Sequence, residues 1–238
     1  MMDEEIETDW KNFSESIFNT FFDQTKAYVA RMLTSQGGYM DCLKAYYDGA
    51  WSVPKKYKGN SGAMGFVPEY LVFETVRQYL EKKYGIAFRK KERTYTAGQV
   101  ETFYFVDDLA DPQRLLVHGL RIRRDSFGFP PTDYQHDITY AVREGEWRVK
   151  AVVEVKGFFD GPSLRADLGK LEAAERKYSK ADDCSFAFVG FIPSSNLPGP
   201  MKENIKRFVA RRNHSVVLPG AVDPELGNTR LEDLLGKL

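Results

Sequence analysis

The sequence predicts an α/β protein: a mixed central β-sheet flanked by helices, preceded by a helical N-terminal region. Three observations carry this. Residues 137–218 alternate short apolar runs with amphipathic stretches, at lengths that give strand, helix, strand, helix, strand and hence a partly parallel sheet covered by helices. Residues 12–33 bring Phe, Ile, Tyr and Leu back every three or four positions, the period of a helix with one apolar face. At 238 residues and 42% apolar content, the chain is long enough for one large domain and apolar enough to bury its core.

Along the chain, 12–33 reads as a long amphipathic helix and 39–48 as a second, short one. Residues 52–66 (SVPKKYKGNSGAMGF) hold Pro, Gly, Asn and Ser at linker-like density. They separate a helical region at 1–60, suited to recognition or dimerisation, from a domain at 61–238. Pro68 then takes the first position of a helix over 68–83, and Gly85 stops it. Runs at 86–88, 100–106 and 115–122, broken by Gly98, Asp107-Asp108 and Asp111-Pro112, read as strands inserted at 86–129. Strands follow at 137–142 and 147–156, a helix at 163–179, a strand at 184–192, a helix at 201–212 and a strand at 214–218.

Charge narrows the partners only partly. The 34 bases balance 34 acids, which argues against a generally basic nucleic-acid binder. The average hides an acidic start, where Asp3, Glu4, Glu5, Glu7, Asp9, Glu15 and Asp23 face Lys11 alone. Bases cluster further on: Lys55, Lys56 and Lys58 around Tyr57, then Arg89 to Arg93, then Arg121, Arg123 and Arg124, then Lys202 to Arg212. Such clusters suit phosphate contact, and equally suit a solvated face. No apolar run approaches the ~18 residues of a membrane span, and the acidic start is unlike a signal peptide. Cys42 and Cys184 are too few for a disulfide framework. The expectation is a soluble, cytoplasmic protein with no membrane partner.

The chemistry concentrates in 131–157 (PTDYQHDITYAVREGEWRVKAVVEVKG). In its second strand Val149, Ala151, Val153 and Val155 share one face, while Arg148, Lys150, Val152, Glu154 and Lys156 share the other. An even loop centred between Glu144 and Gly145 pairs Asp137 with Val152. Asp137 then shares a face with Glu154 and Lys156, with Glu154 its diagonal neighbour at ~7–8 Å. An odd loop sends Asp137 to the opposite face. Two carboxylates converging in this way can clamp one hard cation; Mg²⁺ takes oxygen ligands and keeps several waters. Such an ion polarises a phosphoryl oxygen and activates water, and Lys156 beside it offsets charge on the pentavalent phosphate.

Asp137-Ile138, a hairpin, and then Val152-Val153-Glu154-Val155-Lys156 resemble the PD-(D/E)xK nuclease superfamily, the restriction-endonuclease-like fold. His136 stands where that family often has Pro before the Asp. The resemblance covers about 68–192, roughly half the chain. It implies that Asp137 and Glu154 bind the metal, that the carbonyl of Val155 is a further ligand, and that Lys156 is the catalytic lysine. The family also uses a Glu on the helix before the sheet, for which Glu69 and Glu74 are the candidates. At 100° per residue Glu69 lies within the stripe of Val72, Phe73, Val76, Tyr79 and Leu80 and faces the sheet. Glu74, about 140° away, lies on the wet face with Arg77 as partner. Glu69 is the choice, although the helix dipole alone favours an acid in the first turn.

After the motif, Asp160-Gly161-Pro162-Ser163 opens a helix with Leu164, Leu168, Leu171, Glu175 and Tyr178 on one stripe. Arg165, Lys170 and Lys177 lie off that stripe, free to touch a phosphate backbone or to remain solvated. His136, next in line to Asp137, is expected to point to the opposite face. The three histidines lack zinc-ligand spacing, and no Gly-rich phosphate loop or GxSxG turn occurs. The expected activity is Mg²⁺-dependent cleavage of double-stranded DNA, with Mn²⁺ as substitute. A homodimer of the restriction or defence type fits best, since cutting both strands suits two-fold symmetry. Residues 61–85 are similar to the Gly-then-Glu helix of resolvases, so a structure-specific or single-strand nuclease (junction resolvase or RNase) is the alternative. A non-cleaving nucleic-acid-binding protein on the same fold is the other.

Overall fold

The structure, a computed structural model, describes residues 61–91, 103–118, 136–157, 159–178, 183–219 and 222–238. The helices expected at 12–33 and 39–48 and the 1–60 region lie outside the described residues, as do Lys55, Lys56, Lys58, Arg121, Arg123 and Arg124. Elements run α1 (Ser61–Tyr84), β1 (Arg89–Lys91), β2 (Phe103–Val106), β3 (Arg114–His118), β4 (Ile138–Glu144) and β5 (Glu146–Lys156). They continue with α2 (Gly161–Tyr178), β6 (Ser185–Gly190), α3 (Gly199–Val209), β7 (His214–Val217) and α4 (Leu231–Gly236).

The seven strands form one mixed sheet in the order β1-β2-β3-β4-β5-β6-β7. Pairs from β1 to β5 are antiparallel, and β5-β6 and β6-β7 are parallel, joined through α2 and α3. One face packs on α1 and α4: Tyr70, Phe73, Val76 and Leu80 meet Tyr140, Val153 and Val155, with Leu231 and Leu234 alongside. The other packs on α2 and α3, where Leu164, Leu168, Leu171 and Phe208 meet Val152, Phe186 and Phe188. Because both faces of β5 and β6 are covered, these strands read as apolar runs without strict alternation.

Several expected boundaries move. The helix begins at Ser61, with Pro68 inside it instead of at its first position, so 61–66 is helical and not linker. Burial of Tyr70, Leu71, Val72 and Phe73 directly after Pro68 outweighs the one hydrogen bond that proline removes. Residues 86–88 connect α1 to β1 and are not strand. Helix α4, absent from the reading of the sequence, is short and held by burial of Leu231, Leu234 and Leu235.

The hairpin register also differs from expectation. Gly145 stands alone at the tip with φ 79°, and Glu144 pairs with Glu146, so the loop is odd. A bulge then intervenes: Ala141 pairs with Val149 but Tyr140 pairs with Ala151, leaving Lys150 as the extra residue. The two shifts cancel in parity. Ile138 pairs with Val153, where the expected register pairs it with Ala151, and Asp137, just before the ladder, reaches the Val155 N–H on β5. The bulged Lys150 pairs with Glu144 at 3.1 Å and with Asp183.

Gly190 ends β6 opposite Lys156. A Cβ there would lie 2.7 Å from the Phe159 ring, 2.9 Å from Leu218 and 3.0 Å from Phe188. Gly190→Ala is therefore expected to overpack this end of the sheet and cost about 1–3 kcal/mol. Thermal melting checks this; an unchanged Tm would show that the three side chains yield freely.

Candidate functional site

The site forms where β4 begins and β5 ends. Asp137, immediately before β4, is half-buried, and its Oδ2 accepts the backbone N–H of Val155 at 2.6 Å. That bond ties the first carboxylate to the strand bearing the second. Glu154 is 0% exposed, an uncommon place for an acid, and faces α2. Lys156 is partly exposed on the same side, 3.7 Å from Asp167 Oδ2. Alternation along β5 explains why Val153 and Val155 join the α1 core while Glu154 and Lys156 turn to α2.

Glu69, on α1, brings a third acid near. Its Oε1 lies 2.9 Å from His118 Nε2 on β3. Loss of water around Asp137, then repulsion from Glu69 and from Glu154, pushes the Asp137 carboxyl well above the usual range. Burial likewise pushes Glu154 up to about 8, against the pull of Lys170. Acids held protonated by burial first and by neighbouring carboxyls second are what a divalent cation relieves.

Glu74 does not join them. It is buried instead of wet, yet it pairs with Arg77 as expected, and it also takes hydrogen bonds from Tyr70 at 3.4 Å and Gln78 at 3.3 Å. Between the two glutamates, Glu69 is the one whose charge acts on the Asp137 carboxyl.

Two residues act here that the sequence reading sent elsewhere. His136 Nδ1 lies 2.8 Å from Glu154 Oε1, with both side chains buried. The expected opposite face does not apply, because β4 starts only at Ile138 and strand alternation has not begun at His136. Burial, with Lys170 and Lys177 adding repulsion, lowers His136 to about 4, so the imidazole is neutral near pH 7. In the tautomer that carries its proton on Nδ1, the neutral ring donates to Glu154 Oε1.

Lys170 was expected off the packed stripe. It lies 3.4 Å from Glu154 Oε2 and 2.9 Å from Asp167 Oδ1. Partial burial opposes its charge, but Glu154 and Asp167 outweigh this and raise its pKa. Asp167 is buried, and the signal for it was in the sequence: Leu164, Asp167, Leu168 and Leu171 follow i, i+3, i+4, i+7 and put an acid on the apolar face.

The other expected contacts lie apart. Arg165 is exposed on α2. In the Lys202 to Arg212 cluster, Lys206 pairs with Glu203, and Arg211 pairs with Glu172 and Glu175, so part of that charge is spent within the fold. Burial pushes the Cys184 thiol up to about 12, which leaves it unreactive.

Among the described residues no group of three or more His, Cys, Asp and Glu side chains forms a metal cage. Asp137 and Glu154, the residues that could hold an ion, offer oxygens only, with Glu69 beyond. Few protein oxygens and several retained waters suit Mg²⁺ better than zinc. Among the described residues no helix is long and apolar enough to cross a membrane. No family model and no curated protein sequence matches the chain.

Proposed function

We propose that this protein is a Mg²⁺-dependent endonuclease that hydrolyses phosphodiester bonds in double-stranded DNA, a PD-(D/E)xK enzyme of the restriction or defence type. The observation that carries this reading is the register of β4 and β5. The bulge at Lys150 aligns the start of β4 with the end of β5, where Asp137 Oδ2 accepts the Val155 N–H between Glu154 and Lys156. Asp137, Glu154 and the Val155 carbonyl would hold the ion, with Glu69 completing the acidic side. Mn²⁺ is the expected substitute.

A bound Mg²⁺ supplies Lewis-acid polarisation of the scissile phosphate. The chain's own residues do the rest. Lys156, partly exposed, presents a cation to charge developing on the phosphate and orients the attacking water. His136 holds Glu154 Oε1, leaving Oε2 for the cation. Basic side chains at Lys55, Lys56, Lys58, Arg121, Arg123, Arg124 and Arg165 would follow the phosphate backbone, and a homodimer would deliver one centre to each strand.

Supercoiled plasmid incubated with the protein and Mg²⁺ should become nicked or linear, and EDTA should stop it. Cleavage confined to branched DNA, single strands or RNA would move the reading to a resolvase or RNase. Binding with no cleavage of any nucleic acid in Mg²⁺ or Mn²⁺ would overturn it in favour of a non-cleaving binding protein. His136→Ala is expected to raise the Mg²⁺ concentration for half-maximal cleavage by about 10–100-fold, the usual cost of freeing a metal ligand from its orienting partner. A metal titration of cleavage rate checks this.

A further inference from the structure

The α2 side of the site contains an ion pair that the cleavage chemistry above does not use. Asp167 is 2% exposed, and its Oδ2 has no hydrogen-bond partner, although Lys156 Nζ approaches to 3.7 Å. Its Oδ1 lies 2.9 Å from Lys170 Nζ, and the same ammonium reaches Glu154 Oε2 at 3.4 Å. Two buried carboxylates from different elements therefore share one cation. Lys156 gives no equivalent bridge: among the described residues its ion pair is with Asp167.

We propose that Lys170 is an internal counter-ion occupying a cation subsite built by Glu154 and Asp167, against whose charge a divalent ion must bind. This rests on the metal-dependent reading and assigns Lys170 a role other than phosphate contact. The two buried carboxyl groups, 3.4 and 2.9 Å from one ammonium, already have a cation between them before any metal arrives. An ammonium at this distance repels an incoming Mg²⁺ or Mn²⁺ that uses the same Glu154. The Lys170 side chain is 34% exposed, so on metal binding it has solvent to move into. Divalent binding becomes an exchange of cations, and Lys170 sets its affinity. Lys170 and Asp167 are thus positioning residues.

Calorimetric titration of the full chain with Mn²⁺ at fixed pH tests this. Lys170→Gln keeps a hydrogen-bond donor for both acids but removes the charge, and its Mn²⁺ Kd is expected to fall by about tenfold or more. Lys170→Arg keeps the charge and should bind Mn²⁺ as the wild type does. The Asp167→Asn/Lys170→Gln double variant should show a smaller gain than Lys170→Gln. In thermal melting, Mn²⁺ should raise the Tm of Lys170→Gln more than that of the wild type, a readout that survives a loss of basal stability. An unchanged or weaker Kd in Lys170→Gln overturns the proposal. So does a gain in Lys170→Arg, or an equal gain in the double variant. Absence of Mn²⁺ binding in the wild type and every variant instead overturns the metal-dependent reading itself.

Discussion

Lys156→Ala and Asp137→Asn should each lower Mg²⁺-dependent cleavage by about 10²–10³-fold or more, the usual cost of losing one preorganised charge at a reacting centre. Duplex affinity should change little in either case, because phosphate contacts spread over many basic residues and no single one dominates. The two substitutions fail for different reasons. Asp137→Asn removes the charge of one of two carboxylates while its amide oxygen still accepts the Val155 N–H, bonded at 2.6 Å in the native chain, so metal affinity falls with activity. Lys156→Ala leaves both carboxylates in place, so Mn²⁺ should still bind while the rate falls. Cleavage assays paired with metal titration separate the two. Full activity in Lys156→Ala would remove that residue from the chemistry.

Glu154→Gln should abolish cleavage and yet stabilise the metal-free protein, increasingly so as pH rises. Burial pushes Glu154 up to about 8 from an ordinary value near 4.5. The folded state therefore keeps its proton over a range in which the unfolded chain has already lost it. The stability that comes with this group is fully present below about pH 4.5 and is lost as pH climbs to about 8. Gln never ionises and shows no such loss. Between pH 5 and 8.5 the advantage of Glu154→Gln should grow by a few kcal/mol, an order of magnitude set by about 1.4 kcal/mol per pKa unit. Adding Mg²⁺ should narrow the gap, since only the wild type binds it well. Denaturant melts at several pH values test this, and a difference that stays constant with pH would contradict it.

How much of this was legible in the sequence follows from what each residue type can signal. The strands and helices of the second half announced themselves through period and length, because burial selects apolar residues at the positions that face the core. Asp137, Glu154 and Lys156 were legible as a motif. Their shared face was reached through an even loop that the protein does not have: Gly145 alone makes the turn, and the bulge at Lys150 restores the parity. Nothing in a lysine marks it as a bulge; the structure shows its ammonium paired with Glu144 and Asp183. Glu74 differs: its partners Tyr70 and Arg77 lie on its own helix, and the helical wheel names Arg77 while placing the buried Glu74 on the wet face. His136 was misplaced for a different reason, the extension of strand alternation to a residue that precedes the strand. Asp167 was readable, an acid at a core position of an amphipathic helix, and passing over it hid the role of Lys170.

Crystals grown with Mn²⁺ and measured at a wavelength where manganese scatters anomalously would locate the ion directly. The proposed centre requires a peak bounded by the carboxylates of Asp137 and Glu154 and the carbonyl of Val155, lost in Asp137→Asn. Full Mn²⁺ occupancy elsewhere with none between those oxygens, or a peak that persists unchanged in Asp137→Asn, would contradict it.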